Sequence, residues 1–428
     1  MTDDPLGSSL TALAQVPVPL TWNDVERRVR TPAPPPPARG RRRLLVAAAV
    51  VAVATVAAGA FLLWPRSEPG SVTTISEPPA DRSTTTTSTT SPATRSSRTF
   101  PVTAVAGDQY LVWGGEAGAP DLSARADGFA VDLASGSVNP IPVAPIDPRS
   151  GAGGVWTGTE LIVCCGVGRA DGFSYDTRSA AAWDPETGEW RVLPPPPEGI
   201  ARGYPAVVWT GEVMVVVAPG GAAATYDPEA GAWAEIAAPP LPGGGQPEAV
   251  WTGDEMVVWN PVYGSGRVPP DGAVADQGWR WAPGDRAWTP LPDLPEGART
   301  RLGSMGWTGG EVVVWGESTA ADGVGVGARW RPGEEGWRPL PASPQGQVEH
   351  YDGTPGSQAV VSDPVGGRVL VVGLDPADGG RSPVYAYDPA TDRWTDTGAA
   401  VSGYHPHLDV AGNLLLAPDQ AAPIVAPV

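Results

Sequence analysis

The stretch Trp251–Trp259, WTGDEMVVW, resumes after a loop as Trp281–Pro292, WAPGDRAWTPLP. Its first part is a Thr-Gly-Asp turn followed by a run of apolar residues, which is typical of a buried strand. Its second part places two Trp residues seven positions apart around a turn that contains Pro and Gly, as a pair of adjacent strands requires. The whole stretch therefore predicts two successive β-hairpins.

The same unit recurs along the chain at intervals of about 50 residues, a period that indicates a propeller or a solenoid. Seven copies of the first turn, each before an apolar strand, lie at Val105, Trp156, Trp209, Trp251, Trp307, Pro364 and Val410. The second hairpin recurs as pairs spaced by seven at Trp183 and Trp190, Tyr226 and Trp233, Trp281 and Trp288, Trp330 and Trp337, and Tyr387 and Trp394, with Val131 and Val138 as a degenerate copy. The array predicts an all-β propeller of four-stranded blades. We expect seven blades, the last one incomplete, with six as the alternative.

The order of motifs in each unit resembles that of kelch repeats over residues 100–428. An apolar strand, Gly and a loop precede Tyr-Asp-Pro, Trp and Leu-Pro, as at Tyr226-Asp227-Pro228 and Leu291-Pro292, and a Gly doublet is present at Gly114-Gly115. The resemblance implies blades around a central channel, in the manner of galactose oxidase and kelch proteins. It implies no activity, because this fold hosts many functions.

The residues before the array predict a membrane anchor. Leu44–Trp64 is an uncharged apolar run that would span roughly 30 Å as a helix, and Arg39, Arg41, Arg42 and Arg43 precede it. The positive-inside rule then places residues 1–43 in the cytoplasm and the propeller outside the cell membrane, as a single-pass protein. A cleaved signal is the alternative, since Arg41-Arg42-Arg43 resembles a twin-arginine motif and Ala58-Gly59-Ala60 a cleavage site.

Two polar segments flank this helix. Trp22–Arg30 suits one short cytoplasmic helix with a capping box at Thr21 and Asp24, and such segments resemble the cytoplasmic ends of actinobacterial membrane-bound regulators. Residues 65–99 contain nine consecutive Ser or Thr from Ser83 to Ser91 and predict a disordered linker. The formal net charge of −19 disfavours nucleic acid as a partner.

The topology of a propeller blade places candidate ligand residues on one face of the disc. Both tight turns of a blade share one face, so the longer second-to-third loops and the inter-blade loops share the other, where binding is expected. Three residue sets fall there: acidic Asp127, Asp171, Asp271, Asp322 and Asp378; basic Arg149, Arg202 and Arg301; and the histidines His350, His405 and His407. The carboxylates suit calcium or a cationic ligand, the arginines a carboxylate, and the histidines zinc or copper. Each set also has an ordinary structural interpretation as turn or solvated residues.

The two cysteines, Cys164 and Cys165, are adjacent on a predicted strand and should point to opposite faces as buried free thiols. No sequence motif indicates a cofactor. The sequence therefore predicts a binding module for an extracytoplasmic protein, peptide or envelope glycan. Two alternatives are a carbohydrate-active or metal-dependent envelope enzyme of galactose-oxidase or sialidase architecture, and a sensor coupled to the cytoplasmic helix.

Overall fold

The structure, a computed structural model, describes most of the predicted propeller. The described residues are 98–117, 123–170, 173–241, 246–260, 277–318, 320, 324–344, 360–372, 381–402, 408–417 and 420–423. The predicted cytoplasmic segment, the membrane helix and nearly all of the linker lie outside them. Within the described ranges, no helix is long and apolar enough to cross a membrane.

Six antiparallel sheets of four strands follow one another along the chain and confirm the all-β propeller. The strands up to the end of the third sheet are β1 (Arg98–Thr99), β2 (Val102–Ala106), β3 (Gln109–Trp113), β4 (Glu116–Ala117), β5 (Gly128–Asp132), β6 (Val138–Ile141), β7 (Gly153–Trp156), β8 (Leu161–Cys164), β9 (Val167–Ala170), β10 (Phe173–Asp176), β11 (Ala180–Asp184), β12 (Glu189–Leu193), β13 (Ala206–Trp209), β14 (Met214–Val217), β15 (Ala223–Asp227) and β16 (Ala232–Ile236). Blade 1 is β2, β3, β5 and β6; blade 2 is β7, β8, β11 and β12; blade 3 is β13 to β16.

The described residues of the next three blades form four strands in each blade. They comprise β17 (Glu248–Trp251), β18 (Met256–Asn260), β19 (Gln277–Trp281) and β20 (Thr289–Pro290) in blade 4; β21 (Thr300–Trp307), β22 (Val312–Ser318), β23 (Gly325–Trp330) and β24 (Arg338–Pro339) in blade 5; and β25 (Val360–Asp363), β26 (Arg368–Val372), β27 (Arg381–Asp388) and β28 (Arg393–Ser402) in blade 6. Short 3-10 helices at Glu198–Ile200 and Glu296–Ala298 precede blades 3 and 5.

The first turn of blades 2 to 5 is built identically, which explains why the Thr-Gly pair recurs. The Thr hydroxyl accepts a hydrogen bond from the backbone N–H three residues later, at 2.9 to 3.2 Å, and the intervening Gly has a φ between +90° and +104°. Gly takes this left-handed conformation without steric cost. The N–H donor is the residue immediately before the second strand: Glu160, Val213, Glu255 or Glu311. The sequence prediction of these turns is confirmed.

The aromatic pairs lie opposite each other in the second hairpin. Trp183 pairs with Trp190, Tyr226 with Trp233 and Tyr387 with Trp394 across adjacent strands. The second member of each pair also joins its blade to the preceding one. Its indole N–H donates to a backbone carbonyl just after the fourth strand of that blade, at 2.6 to 2.9 Å: Trp190 to Pro142, Trp233 to Pro194, Trp288 to Ala237, Trp337 to Pro292 and Trp394 to Pro341.

The hydrophobic core lies between neighbouring blades. Second strands such as β8, β14 and β3 have almost completely buried side chains, as their continuous apolar runs predict for stacked sheets. One cluster joins Trp259 of blade 4 to Val312 and Trp330 of blade 5. The apolar side chains on both faces of these second strands therefore pack each blade against its two neighbours.

A three-stranded sheet follows blade 6. It consists of β29 (Asp409–Ala411), β30 (Leu414–Ala417) and β31 (Gln420–Pro423). The strand β29 lies against β25 of blade 6 and β2 of blade 1. The structure thus confirms six complete blades. It does not confirm the seventh, incomplete blade that the sequence predicts, whose residues form this three-stranded sheet.

Candidate functional site

The second-to-third connections and the inter-blade connections lie at the same end of every blade, because all strand pairs within a blade are antiparallel. We call this end the long-loop face. In blades 1 and 2 its loops pair with one another. The strand β1 pairs with β4, β9 pairs with β10, and isolated bridges join Arg125 to Arg149 and Ser150 to Val167. These bonds fix the side chains that converge there.

Glu116 is the centre of a polar cluster on this face. Its side chain is only 9% exposed, and Oε1 accepts a hydrogen bond of 2.7 Å from the Ser150 hydroxyl. The Arg169 guanidinium donates to both carboxylate oxygens, at 3.2 and 3.3 Å, and its own side chain is 41% exposed. A buried carboxylate requires such partners. Blade 1 thus contributes the acid, and blade 2 the serine and the arginine.

Tyr204 completes the cluster from the entrance of blade 3. Its hydroxyl is hydrogen-bonded to Ser150. Burial, followed by the negative charge of Glu116, raises the pKa of the Tyr204 phenol. We call Glu116, Ser150, Arg169 and Tyr204 the Glu116 cluster.

The backbone around this cluster is strained. Tyr204 and Phe100 have φ values of +60° and +54°, which are uncommon for aromatic residues, and their rings meet edge to face with centroids 5.0 Å apart. The amide of Tyr204 donates to Gly151 O at 2.7 Å, and the amide of Gly151 donates to Phe100 O at 2.9 Å. Backbone strain of this kind is concentrated at functional sites in proteins.

Exposed cations and an aromatic ring lie on the same loops as Arg169 and Tyr204. Arg169, Arg178 and Arg202 are exposed, although the chain as a whole is strongly acidic. Tyr175 is 42% exposed and packs over Gly168, where a Cβ would collide with its ring. Guanidinium groups beside an aromatic ring are suited to a ligand with a carboxylate and an apolar or ring face.

The structure places Arg149 beneath this surface. The residue is fully buried, and its guanidinium donates to the carbonyls of Asp147, Cys165 and Ser179, at 2.8, 2.9 and 2.8 Å, and to the Ser179 hydroxyl at 2.5 Å. Desolvation lowers the pKa of this group. Arg149 therefore positions the loops of blade 2.

Asp127 is paired with a cation that the sequence analysis did not single out. Arg98 donates to its carboxylate and backbone carbonyl, at 3.0 and 2.8 Å, and lies 5.5 Å from the centre of the Phe129 ring. The Arg98 side chain is 5% exposed and that of Asp127 is 43% exposed. The pair attaches β1 to the first blade.

Of the remaining predicted site residues, the structure describes the backbone or side chain of only two, and neither is a member of the cluster. Arg202 is exposed and lies two residues before Tyr204, and Arg301 lies in β21, opposite Glu317 in the strand register. Asp171, Asp271, Asp322, Asp378, His350, His405 and His407 lie outside the described residues. In the part of the chain that the structure describes, no group of three or more His, Cys, Asp or Glu could hold a metal ion.

Sequence reasoning missed the Glu116 cluster because its members share no repeat position. Ser150 is 34 residues from Glu116, and Arg169 is 53 residues from it. The available signals were the Gly114-Gly115 doublet before Glu116 and the Arg149-Ser150-Gly151 segment before blade 2. Both glycines of the doublet have positive φ, and a Cβ on Gly115 would collide with Thr99 O.

Compared with known protein families and with curated proteins, the chain matches none. The class of protein is therefore defined by its fold and site: an all-β propeller of six four-stranded blades with a polar cluster at the junction of blades 1 to 3.

Proposed function

We propose that this chain is a binding module whose long-loop face captures an anionic group of an extracytoplasmic peptide, protein or envelope glycan. The observation that carries the proposal is the convergence of Glu116, Ser150, Arg169 and Tyr204 from three blades around strained backbone. Rigid blades hold these groups in fixed positions, so a ligand would pay little ordering entropy on binding.

The charges around the cluster favour a carboxylate as the recognised group. Arg169, Arg178 and Arg202 are exposed on an otherwise acidic chain, and a planar guanidinium binds a carboxylate through two parallel hydrogen bonds. Tyr175 and Tyr204 offer ring faces for a sugar or an apolar side chain. Acidic peptides and acidic glycans share this chemistry.

An array experiment tests the proposal and distinguishes the two sources. The labelled full-length chain is applied to peptides and oligosaccharides that carry carboxylates, and to matched amides and neutral sugars. We expect retention of a carboxylate-bearing class only, and a loss of binding of about tenfold or more in Arg169→Ala or Arg202→Ala. The matched control is Arg191→Ala, an exposed arginine paired with Glu160 at the other end of blade 2. Equal retention of carboxylates and amides would refute the proposal.

A second candidate function is hydrolysis of a carbohydrate. The hydrogen-bonded series from Tyr204 through Ser150 to Glu116 favours it, because a phenol that attacks a substrate can pass its proton along such a series to the carboxylate. Chromogenic glycosides, neutral and acidic, test this function directly. Turnover that Tyr204→Phe and Glu116→Gln each abolish would make the chain an enzyme, whereas binding without turnover supports the module.

We also propose that Leu44–Trp64 anchors the chain in the cell membrane with the propeller outside. The uncharged run and the preceding arginines support this topology. Protease added to intact cells should remove the propeller and leave the N-terminal segment protected. A propeller that survives this treatment, but is cleaved in lysed cells, would contradict the topology.

The last sheet is, in our proposal, the seventh blade of the kelch-like array. Its first strand contacts the first strands of blades 6 and 1, and its sequence begins with the seventh copy of the turn at Val410. A ring of seven follows if no further unit lies between these blades.

A further inference from the structure

The sequence predicts that the side chains of Cys164 and Cys165 point to opposite faces of one strand. In the structure they point toward each other. The strand β8 ends at Cys164, and Cys165 has a φ of +62°, which turns its side chain back toward its neighbour. The two Sγ atoms are 2.7 Å apart, closer than non-bonded sulfur atoms normally come. Both thiols are fully buried.

Hydrogen bonds hold Cys165 in this unusual conformation. Its carbonyl accepts from the Arg149 guanidinium at 2.9 Å and from the Thr177 hydroxyl at 2.6 Å. A left-handed backbone is costly for a residue with a Cβ, so the fold must supply compensating bonds. Arg149 and Thr177 are themselves buried and fixed by the loops of blade 2. The fold thus specifies the approach of the two sulfur atoms.

We propose that Cys164 and Cys165 form a disulfide with each other, a modification site built into the loop end of blade 2. The chain has two cysteines, so an intramolecular disulfide must join these two. The Cα atoms of adjacent residues are about 3.8 Å apart, below the usual range of about 4.4 to 6.8 Å for a disulfide. The small ring that this disulfide closes is therefore strained in the unfolded chain. Folding has already turned the thiols together, which removes part of that cost.

The reaction is an exchange with a disulfide-bearing oxidant, either a small disulfide or a disulfide-exchange protein. One thiolate attacks the oxidant and forms a mixed disulfide, which releases one reduced thiol of the oxidant. The second cysteine thiolate then attacks the sulfur of the first and releases the other. The chain loses two protons and two electrons, and the oxidant gains them.

Burial makes the completed bond slow to reduce. The sulfur atoms lie in a cluster with Ile162, Ile200 and Val216, so a reductant reaches them only after local opening. The same disulfide would stiffen the backbone at Cys165, whose carbonyl accepts a hydrogen bond from Arg149. Arg149 is adjacent in sequence to Ser150 of the Glu116 cluster. This inference does not depend on the proposed binding function, and either can fail alone.

Thiol counting on the full-length chain tests the disulfide. The chain is equilibrated in glutathione buffers from reducing to oxidising, at a temperature that permits local opening, both folded and in urea. It is then quenched in acid, denatured, tagged with a maleimide and weighed intact. In the folded chain we expect two tags under reducing conditions, and no tag with a mass lower by about 2 Da under oxidising ones.

The position of the midpoint carries the structural claim. At half oxidation of the two cysteines, the folded chain should require a ratio of oxidised to reduced glutathione that is lower, by about tenfold or more, than the ratio the unfolded chain requires. Thr177→Val, which removes one hydrogen bond to the Cys165 carbonyl, should move the folded midpoint toward the unfolded one, and Cys165→Ala should never show the 2 Da loss. Two tags in every buffer, glutathione adducts, cross-linked dimers or coincident midpoints would each overturn the proposal.

Discussion

The indole N–H of Trp337 in blade 5 donates to the carbonyl of Pro292 in blade 4 at 2.8 Å. Four further Trp residues make the same bond to the preceding blade. In four of the five bonds the acceptor is a Pro that lies one position after Leu or Ile, and in the fifth it is Ala237, so the apolar-Pro motif and the Trp of the repeat usually form one contact between blades. The Pro at this position therefore ends a strand and also supplies the carbonyl that accepts the indole N–H of the next blade.

Replacing Trp337 with Phe should destabilise the protein by about 1 to 3 kcal/mol, because the Pro292 carbonyl loses its donor and part of the ring volume is lost. Urea denaturation of the full-length chain measures this change. Trp259→Phe is the matched control: its ring lies 5.9 Å from that of Trp337 and is also buried, but its indole nitrogen has no hydrogen-bond partner among the described residues. An equal or larger loss in Trp259→Phe would show that the bond between blades contributes nothing.

Gly151→Ala should disturb the Glu116 cluster more than a Gly→Ala change elsewhere. Gly151 has a φ of +54°, and its Cβ would lie 2.7 Å from the Tyr204 ring. Gly188→Ala provides the control, because Gly188 has a φ of +72° and nothing within 4 Å of a Cβ. Both variants bear backbone strain, and overpacking should add about 1 to 3 kcal/mol in Gly151→Ala alone. Equal unfolding midpoints for the two variants would mean that Tyr204 moves freely.

Much of the fold could be predicted from the sequence because the repeat states it many times. The turn before each second strand and the seven-residue aromatic spacing are local patterns, and the structure places Trp156 opposite Leu161 and Trp183 opposite Trp190 as these patterns require. The interblade bonds were not predicted, since Trp and Pro lie 39 to 53 residues apart.

The candidate site could be predicted only as a face. Antiparallel blades determine which end carries the long loops, but not which side chains meet there. Arg149 was a candidate for carboxylate binding. An Arg just before a first strand can donate either to a ligand or to backbone carbonyls, and the sequence alone does not show which. Arg149 is buried and donates to carbonyls. The αL conformation of Cys165 and Tyr204 likewise depends on contacts with residues distant in sequence, which no local pattern encodes.

Stability should depend on pH through Asp409. The residue is half-buried, but its Oδ2 atom has no contact with solvent. Desolvation raises the pKa of this carboxyl, and this effect exceeds that of the hydrogen bonds from Thr103 and Tyr110, which lower it. A raised pKa means that the folded protein binds this proton more tightly than the unfolded chain. The stabilising contribution is therefore present below about pH 4, the ordinary value for Asp, and is lost as pH rises through the folded value.

Asp409→Asn removes that dependence, so it should stabilise the protein at pH 7 relative to the original chain and give a smaller gain, or none, at pH 4. Thermal unfolding at the two pH values measures the difference. Asp132→Asn should behave in the opposite sense, because hydrogen bonds from Ser135 and Ala134 lower the pKa of Asp132. A gain for Asp409→Asn that is the same at both pH values would contradict the assignment.

The last sheet should contribute to stability as much as a complete blade does. Leu416 of β30 is 1% exposed and packs in one cluster with Tyr110, Val112 and Phe129 of blade 1. If this sheet closes the ring, Leu416→Ala should cost about 2 to 5 kcal/mol, the usual range for a buried Leu. Leu111→Ala in blade 1, where Leu111 is equally buried, sets the comparison. In urea denaturation, a similar loss in both variants, within one cooperative transition, means that the last three strands are integral to the propeller. A loss below about 0.5 kcal/mol for Leu416→Ala, as for an exposed residue, would mean that blades 1 and 6 hold together without them.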